Sequence, residues 1–527
     1  TKDGSWMNNK YNNLAMLCAL ATLGTAQAAP YVENGRAGDP NSWRSTEFNA
    51  DWGLGAVNAQ DAYAAGYTGK GVKLGIFDQP VYAAHPEFSG PNKVITLVTS
   101  GIREYTDPYI PVKAGDAFRY DGSPSVGSDG ELGAHGTHVG GIAAGSRDGG
   151  PMHGVAFGSQ IISADNGDPG PEDGIIRGND GAVYKAGWDA LIASGARIIN
   201  NSWGIGITDR FDLGGRNPAY PHFTVQDAQL QFNEIRPLLG TKPGGAYDGA
   251  IAAARSGIVT IFAAGNDYNL NNPDAIAGLG YFVPDIAPNW VTVAALQKNP
   301  NLNSPDLYNI STFSSRCGYT ASFCVSAPGS KIYSSIITGT NADNLTTGYK
   351  NYNGTSMAAP HVAGVVALVQ SVAPTALSPA AIETLLKNTA RALPGACSGG
   401  CGAGIVDADA AVTAALGGTN PNPGTGTVLQ NNVPVTGLGA AAGASLAYTV
   451  TVPSGSTQLK VSIAGGSGDA DLYVRSGSAP TDTVYNCRPY LSGNNETCTI
   501  SAPAAGTWHV RVKAYSTFSG VTLTAQY

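Results

Sequence analysis

The sequence is poor in charge, in cysteine and in long apolar runs. Only 13% of its 527 residues are charged, and the net charge is −8. This acidic balance argues against nucleic acid and anionic membranes as partners, because both are polyanions. No apolar run approaches the roughly 20 residues that span a bilayer, so we expect no membrane span. The sequence is rich in glycine, with 70 residues, and its length predicts two folded units rather than one.

Cysteine is scarce, and its spacing is informative. Six of the seven cysteines stand in close sequence pairs, and Cys18 stands apart. Short-range pairing is the simplest interpretation in an oxidising compartment, although six cysteines allow many connectivities. A zinc site is the alternative, but the sequence has no Cys-x-x-Cys. The expected disulfides are Cys317 with Cys324, Cys397 with Cys401, and Cys487 with Cys498.

The first 30 residues have the three parts of an export signal. A lysine follows soon after Met7, an apolar run fills 14–23, and Ala-Gln-Ala stands at 26–28. A basic start, a short apolar core and a small-residue cleavage site predict a secretory signal peptide at 7–28. A buried helix is the alternative, but helix capping and amphipathic spacing are absent. We therefore expect a secreted, extracellular protein.

A stretch of Gly, Pro, Asn and Thr at 417–427 divides the chain and predicts a linker. Before it, short apolar runs alternate with helical patterns, which predicts a mainly parallel sheet covered on both faces. Functional groups in such sheets collect beyond the carboxyl ends of the strands. The predicted strands are 72–77, 196–200 and 258–263, and the predicted helices are 180–194 and 246–256.

After the linker, apolar and polar residues alternate with a period of two, and no helical pattern is found. This alternation predicts a small all-β sandwich. The predicted strands are 446–452, 458–463, 471–474, 507–512 and 521–524.

Three residues at the ends of predicted elements suit nucleophilic acyl chemistry. A serine hydroxyl is a poor nucleophile unless a base removes its proton and a third group orients that base. Asp78 ends an apolar strand, His135 lies among glycines, and Ser356 opens a run of small apolar residues. The alternatives are a turn aspartate, a metal-binding pair of His135 with His138, and a helix-capping serine. No His-Glu-x-x-His or third ligand supports the metal pair.

The run from Met357 to Val369 predicts a buried helix with Ser356 at its N-terminus. The N–H groups and the dipole at that end favour developing negative charge. Pro360 would interrupt a helix interior. We therefore expect it in the first turn, where its missing N–H has no intrahelical partner to lose.

Two of these segments resemble motifs of the subtilase family of serine peptidases. Residues 354–361 read Gly-Thr-Ser-Met-Ala-Ala-Pro-His, like the family's nucleophile motif, and 135–139 read His-Gly-Thr-His-Val, like its histidine motif. The resemblance covers roughly 48–416 and implies a subtilisin-like three-layer α/β fold. It implies a serine endopeptidase that hydrolyses peptide bonds in proteins.

The resemblance also assigns roles to single residues. Ser356 would attack the substrate, His135 would act as general base and then general acid, and Asp78 would orient the histidine. Residues 263–266 read Ala-Ala-Gly-Asn, and the Asn266 amide would join the Ser356 N–H in an oxyanion hole.

Two segments resemble those that pair with the substrate backbone and line the specificity pocket. Neither contains a lysine or an acidic residue, so we expect broad, apolar-tolerant specificity. The expected substrate-binding residues are Ser202, Trp203, Gly204, Ala263, Ala264 and Gly265.

The sequence departs from the family's pattern in three places. After Asp78, Gln79 and Pro80 replace the usual small hydroxyl residue and glycine, and proline removes a backbone donor. The chain is longer than in minimal members around 205–240, which predicts a loop insertion near the cleft. The segment between Pro30 and about 49 is short for a folding propeptide.

The part after the linker resembles bacterial pre-peptidase C-terminal domains. The resemblance rests on 469–474 (Asp-Ala-Asp-Leu-Tyr-Val), on Cys487 and Cys498, and on 506–512 (Gly-Thr-Trp-His-Val-Arg-Val). Such domains are associated with export, substrate adhesion or removal on maturation. The expected order is an upstream segment 1–6, the signal peptide 7–28, an N-terminal segment 29–47, the peptidase domain 48–416, the linker 417–427 and the β-sandwich 428–527.

No cofactor is expected for catalysis, and no metal site is assigned. Members of the family often bind structural calcium. In this sequence, however, residues 146–153 stand where the family has its compact calcium loop, and they do not match that loop. Acidic residues at 469–473 alternate as calcium ligands can, yet we favour a solvated turn there.

Two rival functions compete with the peptidase. An α/β-hydrolase esterase could use 354–358 as its nucleophile elbow, but that fold needs its acid and histidine after the serine. Only His361 and His509 follow Ser356. A non-catalytic binding protein is the other rival, and it rests mainly on Gln79 and Pro80. We expect instead a monomeric, secreted bacterial peptidase acting on protein and peptide substrates.

Overall fold

The structure is a computed structural model. It describes residues 31–104, 113–126, 132–167, 181–204, 223–239, 246–267, 271–301, 306–372, 377–393, 397, 400–416, 427–429, 431–440, 443, 445–482 and 484–527. Contacts divide the chain into residues 1–33 and residues 34–527, and every element below belongs to the second unit. The predicted signal peptide and nearly all of the predicted linker lie outside the described residues, as does 205–222 of the predicted loop insertion.

The first part of the second unit alternates strands and helices. The strands are β1 (Lys73–Asp78), β2 (Val94–Thr96), β3 (Thr99–Ile102), β4 (Ala117–Tyr120), β5 (Gln160–Asp165), β6 (Ile198–Asn201), β7 (Val259–Ala263), β8 (Trp290–Lys298), β9 (Tyr308–Ile310), β10 (Cys324–Pro328), β11 (Ile332–Thr338) and β12 (Thr346–Tyr352). The helices are α1 (Thr46–Ala50), α2 (Trp52–Ala56), α3 (Ala59–Ala64), α4 (His135–Ala144), α5 (Gly181–Ala193), α6 (Val225–Leu239), α7 (Ala246–Arg255), α8 (Leu279–Phe282), α9 (Thr355–Gln370), α10 (Pro379–Thr389) and α11 (Ala408–Ala415).

Seven parallel strands form the centre of this part, in the order β10-β8-β7-β6-β1-β5-β2, and β9 joins β8 antiparallel. Successive side chains of a strand point to opposite faces, so each strand feeds two cores. Ile76 and Ile261 lie in the core shared with α4 and α9, whereas Phe77 and Phe262 lie in the core shared with α5 and α7. Helices thus cover both faces, and the predicted three-layer α/β fold is confirmed.

The predicted strands and helices of this part are confirmed within one or two residues at each end. Helices α5 and α7 match the expected 180–194 and 246–256, although residue 180 itself is not described. The hairpin of β11 and β12 was not predicted. Its second strand is mostly exposed and carries no apolar run, which is the signal that the sequence offers for a buried strand.

The C-terminal part is all-β among its described residues, as predicted. Its strands are β13 (Thr427–Val428), β14 (Val435–Ala440), β15 (Ser445–Val452), β16 (Gln458–Ala464), β17 (Ser467–Ser476), β18 (Glu496–Ser501) and β19 (Gly506–Gln526). The two strands predicted at 507–512 and 521–524 are one strand of 21 residues. Its first half pairs with β15 and β17 and its second half with β14 and β16, so β19 belongs to both layers of the sandwich.

The turn predicted at 469–473 is wrong, because these residues lie in β17. Asp471 is buried, and an oxygen of its carboxylate lies 3.3 Å from Arg488 Nη2. Asp469 Oδ1 accepts a hydrogen bond from the Gly493 N–H. Both carboxylates therefore bind donors of the protein, whereas in a solvated turn they would bind water.

The three expected disulfides are all present, joining Cys317 to Cys324, Cys397 to Cys401 and Cys487 to Cys498. The zinc alternative for these cysteines is therefore wrong. In the part of the chain that the structure describes, we find no helix with the length and hydrophobicity of a membrane span.

Candidate active site

The first two members of the predicted triad meet where β1 ends and α4 begins. Asp78 is the last residue of β1 and His135 is the first residue of α4. The His135 Nδ1–H donates to Asp78 Oδ1 over 2.7 Å. Asp78 is buried, whereas the His135 side chain is 25% exposed. A carboxylate on Nδ1 holds the neutral ring in the tautomer whose Nε2 can accept a proton.

The carboxylate of Asp78 has an asymmetric environment. Oδ1 also accepts a hydrogen bond from the Gln79 N–H, at 2.8 Å. Oδ2 is buried and has no hydrogen-bond partner among the described residues.

The nucleophile candidate lies in the first turn of α9, which starts at Thr355 rather than Met357. Pro360 is therefore the sixth residue of the helix, and the prediction that it lies in the first turn is wrong. A proline there leaves the carbonyl four residues earlier, that of Ser356, without an intrahelical donor. The Ser202 hydroxyl takes that place and donates to the Ser356 carbonyl over 2.8 Å.

Ser202 and Ser356 are joined a second time by the nucleophile's own hydroxyl. Ser356 Oγ donates to the Ser202 carbonyl over 2.9 Å. Asn200 Nδ2 donates to Ser202 Oγ over 2.9 Å and completes a buried chain from β6 to α9. The segment that follows β6 is thereby fixed against the start of the nucleophile helix.

Asn266 is anchored through its carboxamide oxygen. Its Oδ1 accepts hydrogen bonds from both the N–H and the hydroxyl of Thr355, at 2.8 and 3.0 Å. Asn266 Nδ2 takes part in neither of these bonds. A Cβ added to Gly354 would lie 3.5 Å from Asn266 Nδ2 and 3.5 Å from Ser356 N. Both nitrogens therefore lie near Gly354, beside the nucleophile candidate.

Sequence reasoning did not single out Thr355, although it stands inside the nucleophile motif. Its hydroxyl donates to Asn266 Oδ1 and accepts from the Gly265 N–H at 3.1 Å. One side chain therefore fixes the loop after β7 to the start of α9. A local sequence pattern could not predict this role, because Gly265 and Asn266 lie about ninety positions from Thr355.

The two predicted substrate-binding segments follow β6 and β7, which are neighbours in the sheet. The Trp203 indole packs against Phe77 and Phe262, and its Nε1–H donates to the Phe77 carbonyl at 2.8 Å. The Trp203 side chain therefore supports the core. Ser202, Ala263 and Ala264 are buried, and Gly204 and Gly265 are partly exposed.

Two carboxylates adjoin the glycines of these segments. A Cβ added to Gly204 would lie 2.4 Å from Asp274 Oδ2, and one added to Gly265 would lie 3.0 Å from Asp267 Oδ2. Burial raises the pKa of Asp267 to about 6. The sequence showed no acidic residue within the two segments, because both aspartates come later in the chain.

The structure does not bring His135 and His138 together as metal ligands. His138 is buried, stacks on Tyr352 and donates from Nε2 to the Lys350 carbonyl at 3.0 Å. Burial lowers its pKa to about 3, so it stays neutral. In the described ranges, no group of three or more His, Cys, Asp or Glu side chains could hold a metal ion.

Comparison with protein families matches residues 69–404 to the subtilase family and residues 444–514 to the bacterial pre-peptidase C-terminal domain. An extracellular protease of Xanthomonas campestris is 41% identical over 520 residues, which cover 93% of this chain and 76% of that protein. An extracellular serine protease of Serratia marcescens is 36% identical over 414 residues, or 72% of this chain, but these are only 36% of its own length. A virulence metalloprotease of Vibrio anguillarum is 56% identical over 101 residues, or 19% of this chain and 16% of that protein.

Proposed function

This chain belongs to the subtilase family and is a serine endopeptidase, and we propose that it hydrolyses peptide bonds through an acyl-enzyme on Ser356. In this mechanism Ser356 Oγ attacks the scissile carbonyl while His135 Nε2 takes its proton. His135 then gives that proton to the leaving amine. Asp78 keeps the imidazole in the required tautomer and stabilises the imidazolium.

The oxyanion of the tetrahedral intermediate would form beside Gly354. There the Ser356 N–H and the Asn266 amide are its donors, and donors fixed in advance stabilise the transition state more than the ground state. Thr355 holds the Asn266 oxygen, so the amide is oriented before substrate arrives. Each of these steps is carried by a side chain or a backbone group of this chain.

The observation that carries the proposal is the bond between His135 Nδ1 and Asp78 Oδ1 at 2.7 Å. Helix α4 packs against α9, the helix that carries Ser356. In the esterase alternative the acid and the histidine would follow the serine in the chain, whereas here both precede it.

Several finer assignments belong to the same proposal. We assign the extended segments after β6 and β7, including Ser202 to Gly204, to the substrate backbone and the specificity pocket. Broad, apolar-tolerant cleavage is expected, with Asp267 and Asp274 as the residues that would extend it to basic side chains.

We also propose secretion, a monomer, and a linker at 417–427 that separates the peptidase from the C-terminal β-sandwich. The signal peptide predicted at 7–28 and the relatives described as extracellular support secretion. No calcium site is assigned.

The test compares the protein with its Ser356→Ala variant on denatured casein and on a short-chain ester. We expect casein cleavage by the parent and none by the variant. Equal cleavage by both would remove Ser356 as nucleophile, and turnover of the ester alone would favour the esterase.

A further inference from the structure

Gln79 joins both members of the predicted acid–base pair. The residue is buried, with 2% of its surface exposed. Its backbone N–H donates to Asp78 Oδ1 over 2.8 Å, and its side-chain Oε1 accepts the His135 backbone N–H over 3.0 Å. Because His135 Nδ1–H donates to the same Asp78 oxygen, the three residues form a closed ring of hydrogen bonds.

The two bonds of Gln79 hold the start of α4 and the carboxylate of Asp78. The first N–H groups of a helix have no intrahelical acceptor, and His135 is the first residue of α4. Asp78 Oδ2 has no partner among the described residues, so the carboxylate is oriented through Oδ1. Gln79 and His135 supply the two bonds to that oxygen.

The packing around Gln79 is too close for any side chain on the facing glycines. A Cβ on Gly136 would lie 1.7 Å from the Gln79 carbonyl oxygen, and one on Gly133 would lie 2.6 Å from its Oε1. A second tether follows, because the Tyr82 N–H donates to Thr137 Oγ1 over 3.0 Å. The start of α4 is therefore pressed directly against the turn that follows β1.

We propose that Gln79 is a positioning residue that sets the distance and orientation between Asp78 and His135. The inference rests on the proposed roles of those two residues. The amide suits this place because it accepts the His135 N–H without adding a second negative charge beside Asp78. The departure from the family pattern at this position is thus a different way of holding the same pair.

The first test replaces Gln79 by methionine, which keeps the length of the side chain and removes the amide oxygen. Gln160→Met is the matched control. Gln160 pairs with Lys73 at the other end of the β1–β5 pair, and its Nε2 donates to the Asn92 carbonyl. We expect kcat on a peptide substrate to fall about 10- to 100-fold in Gln79→Met with KM unchanged, because misplaced catalytic groups slow turnover without weakening binding. Gln160→Met should stay within about twofold of the parent, because it lies outside the site.

The second test uses Gln79→Glu, which keeps an acceptor oxygen for the His135 N–H and adds a carboxylate. The His135 imidazole lies beside the Asp78 carboxylate, and His138, the other histidine of α4, stays neutral because burial lowers its pKa to about 3. A second anion favours the protonated imidazole. We therefore expect the acid limb of the kcat/KM profile to move to higher pH and most of kcat to return above that limb.

The outcomes separate this inference from the proposed function. Gln79→Met with kcat indistinguishable from that of Gln160→Met would overturn the positioning role while Ser356→Ala stays inactive. If Gln79→Met does not fold, Gln79→Glu decides. A shifted acid limb with recovered kcat supports the role, and an unshifted limb or a rise in KM alone overturns it. If Ser356→Ala keeps full activity, the proposed function has failed as well.

Discussion

The link between Ser202 and Ser356 allows a quantitative test of how α9 tolerates its proline. Ser202→Ala removes the hydroxyl that donates to the Ser356 carbonyl and accepts from Asn200 Nδ2. Both Ser202 and Ser356 are buried, so the carbonyl cannot turn to solvent without local rearrangement. A buried polar group without a partner costs about 1–3 kcal/mol, and this is the expected loss in the free energy of unfolding.

The substitution Pro360→Ala supplies the missing partner. Alanine at this position has an N–H that can donate to the Ser356 carbonyl four residues earlier, as in any α-helix. In that background Ser202→Ala should cost about 1 kcal/mol less than beside the proline, within the range of about 0.5–3 kcal/mol found for contacting residues. The reasoning also fixes the sign of the coupling energy: Ser202→Ala must destabilise the protein more when Pro360 is present than when it is combined with Pro360→Ala.

The assay is a double-mutant cycle by denaturant titration, with all four proteins carrying Ser356→Ala. This background keeps the backbone carbonyl and prevents self-digestion during the measurement. If Ser202→Ala costs the same with Pro360 in place as it does together with Pro360→Ala, within about 0.5 kcal/mol, the reasoning is refuted.

Two further predictions concern turnover and pH. Asn266→Ala should lower kcat about 10²–10³-fold, the range known for a side-chain oxyanion donor in subtilisin, with little change in KM in steady-state assays; a pure rise in KM would remove Asn266 from the oxyanion hole. Burial raises the pKa of Glu87 to about 10 from an ordinary 4.5, so the folded state keeps a proton that the unfolded state releases, and stability is lost as pH rises above about 4.5. Glu87→Gln should therefore gain stability relative to the parent as pH rises from about 4.5 to about 7 in denaturant titrations, and a constant difference would contradict this. Above that range Lys93, whose pKa burial lowers to about 7, acts in the opposite direction.

The sequence was sufficient for features that depend on local pattern. The apolar run before Asp78 and the small-residue run after Ser356 predict one strand and one buried helix, and the structure has both. The motifs also place the nucleophile at the start of its helix. These features are set by neighbours within a few positions in the chain.

The supporting contacts could not be predicted, because they join residues far apart in sequence. Gln79 accepts from His135 across 56 positions, and Ser202 donates to Ser356 across 154. The prediction that Pro360 lies in the first turn failed because the helix starts earlier than expected. The Ser356 carbonyl, which the proline leaves without an intrahelical donor, accepts instead from Ser202, which is distant in sequence. The long strand β19 was divided in two because Gly520 and the polar residues before it are typical of a turn.

The most direct test of the account is covalent labelling of the purified protein with a serine-directed fluorophosphonate, followed by peptide mass spectrometry. Labelling requires an activated serine beside a working base, so it reports the nucleophile and its setting together. We predict a single adduct on Ser356, lost in His135→Ala and strongly slowed in Asp78→Asn. An adduct on another serine, or equal labelling rates in the parent and His135→Ala, would contradict the assignment of Ser356 and His135.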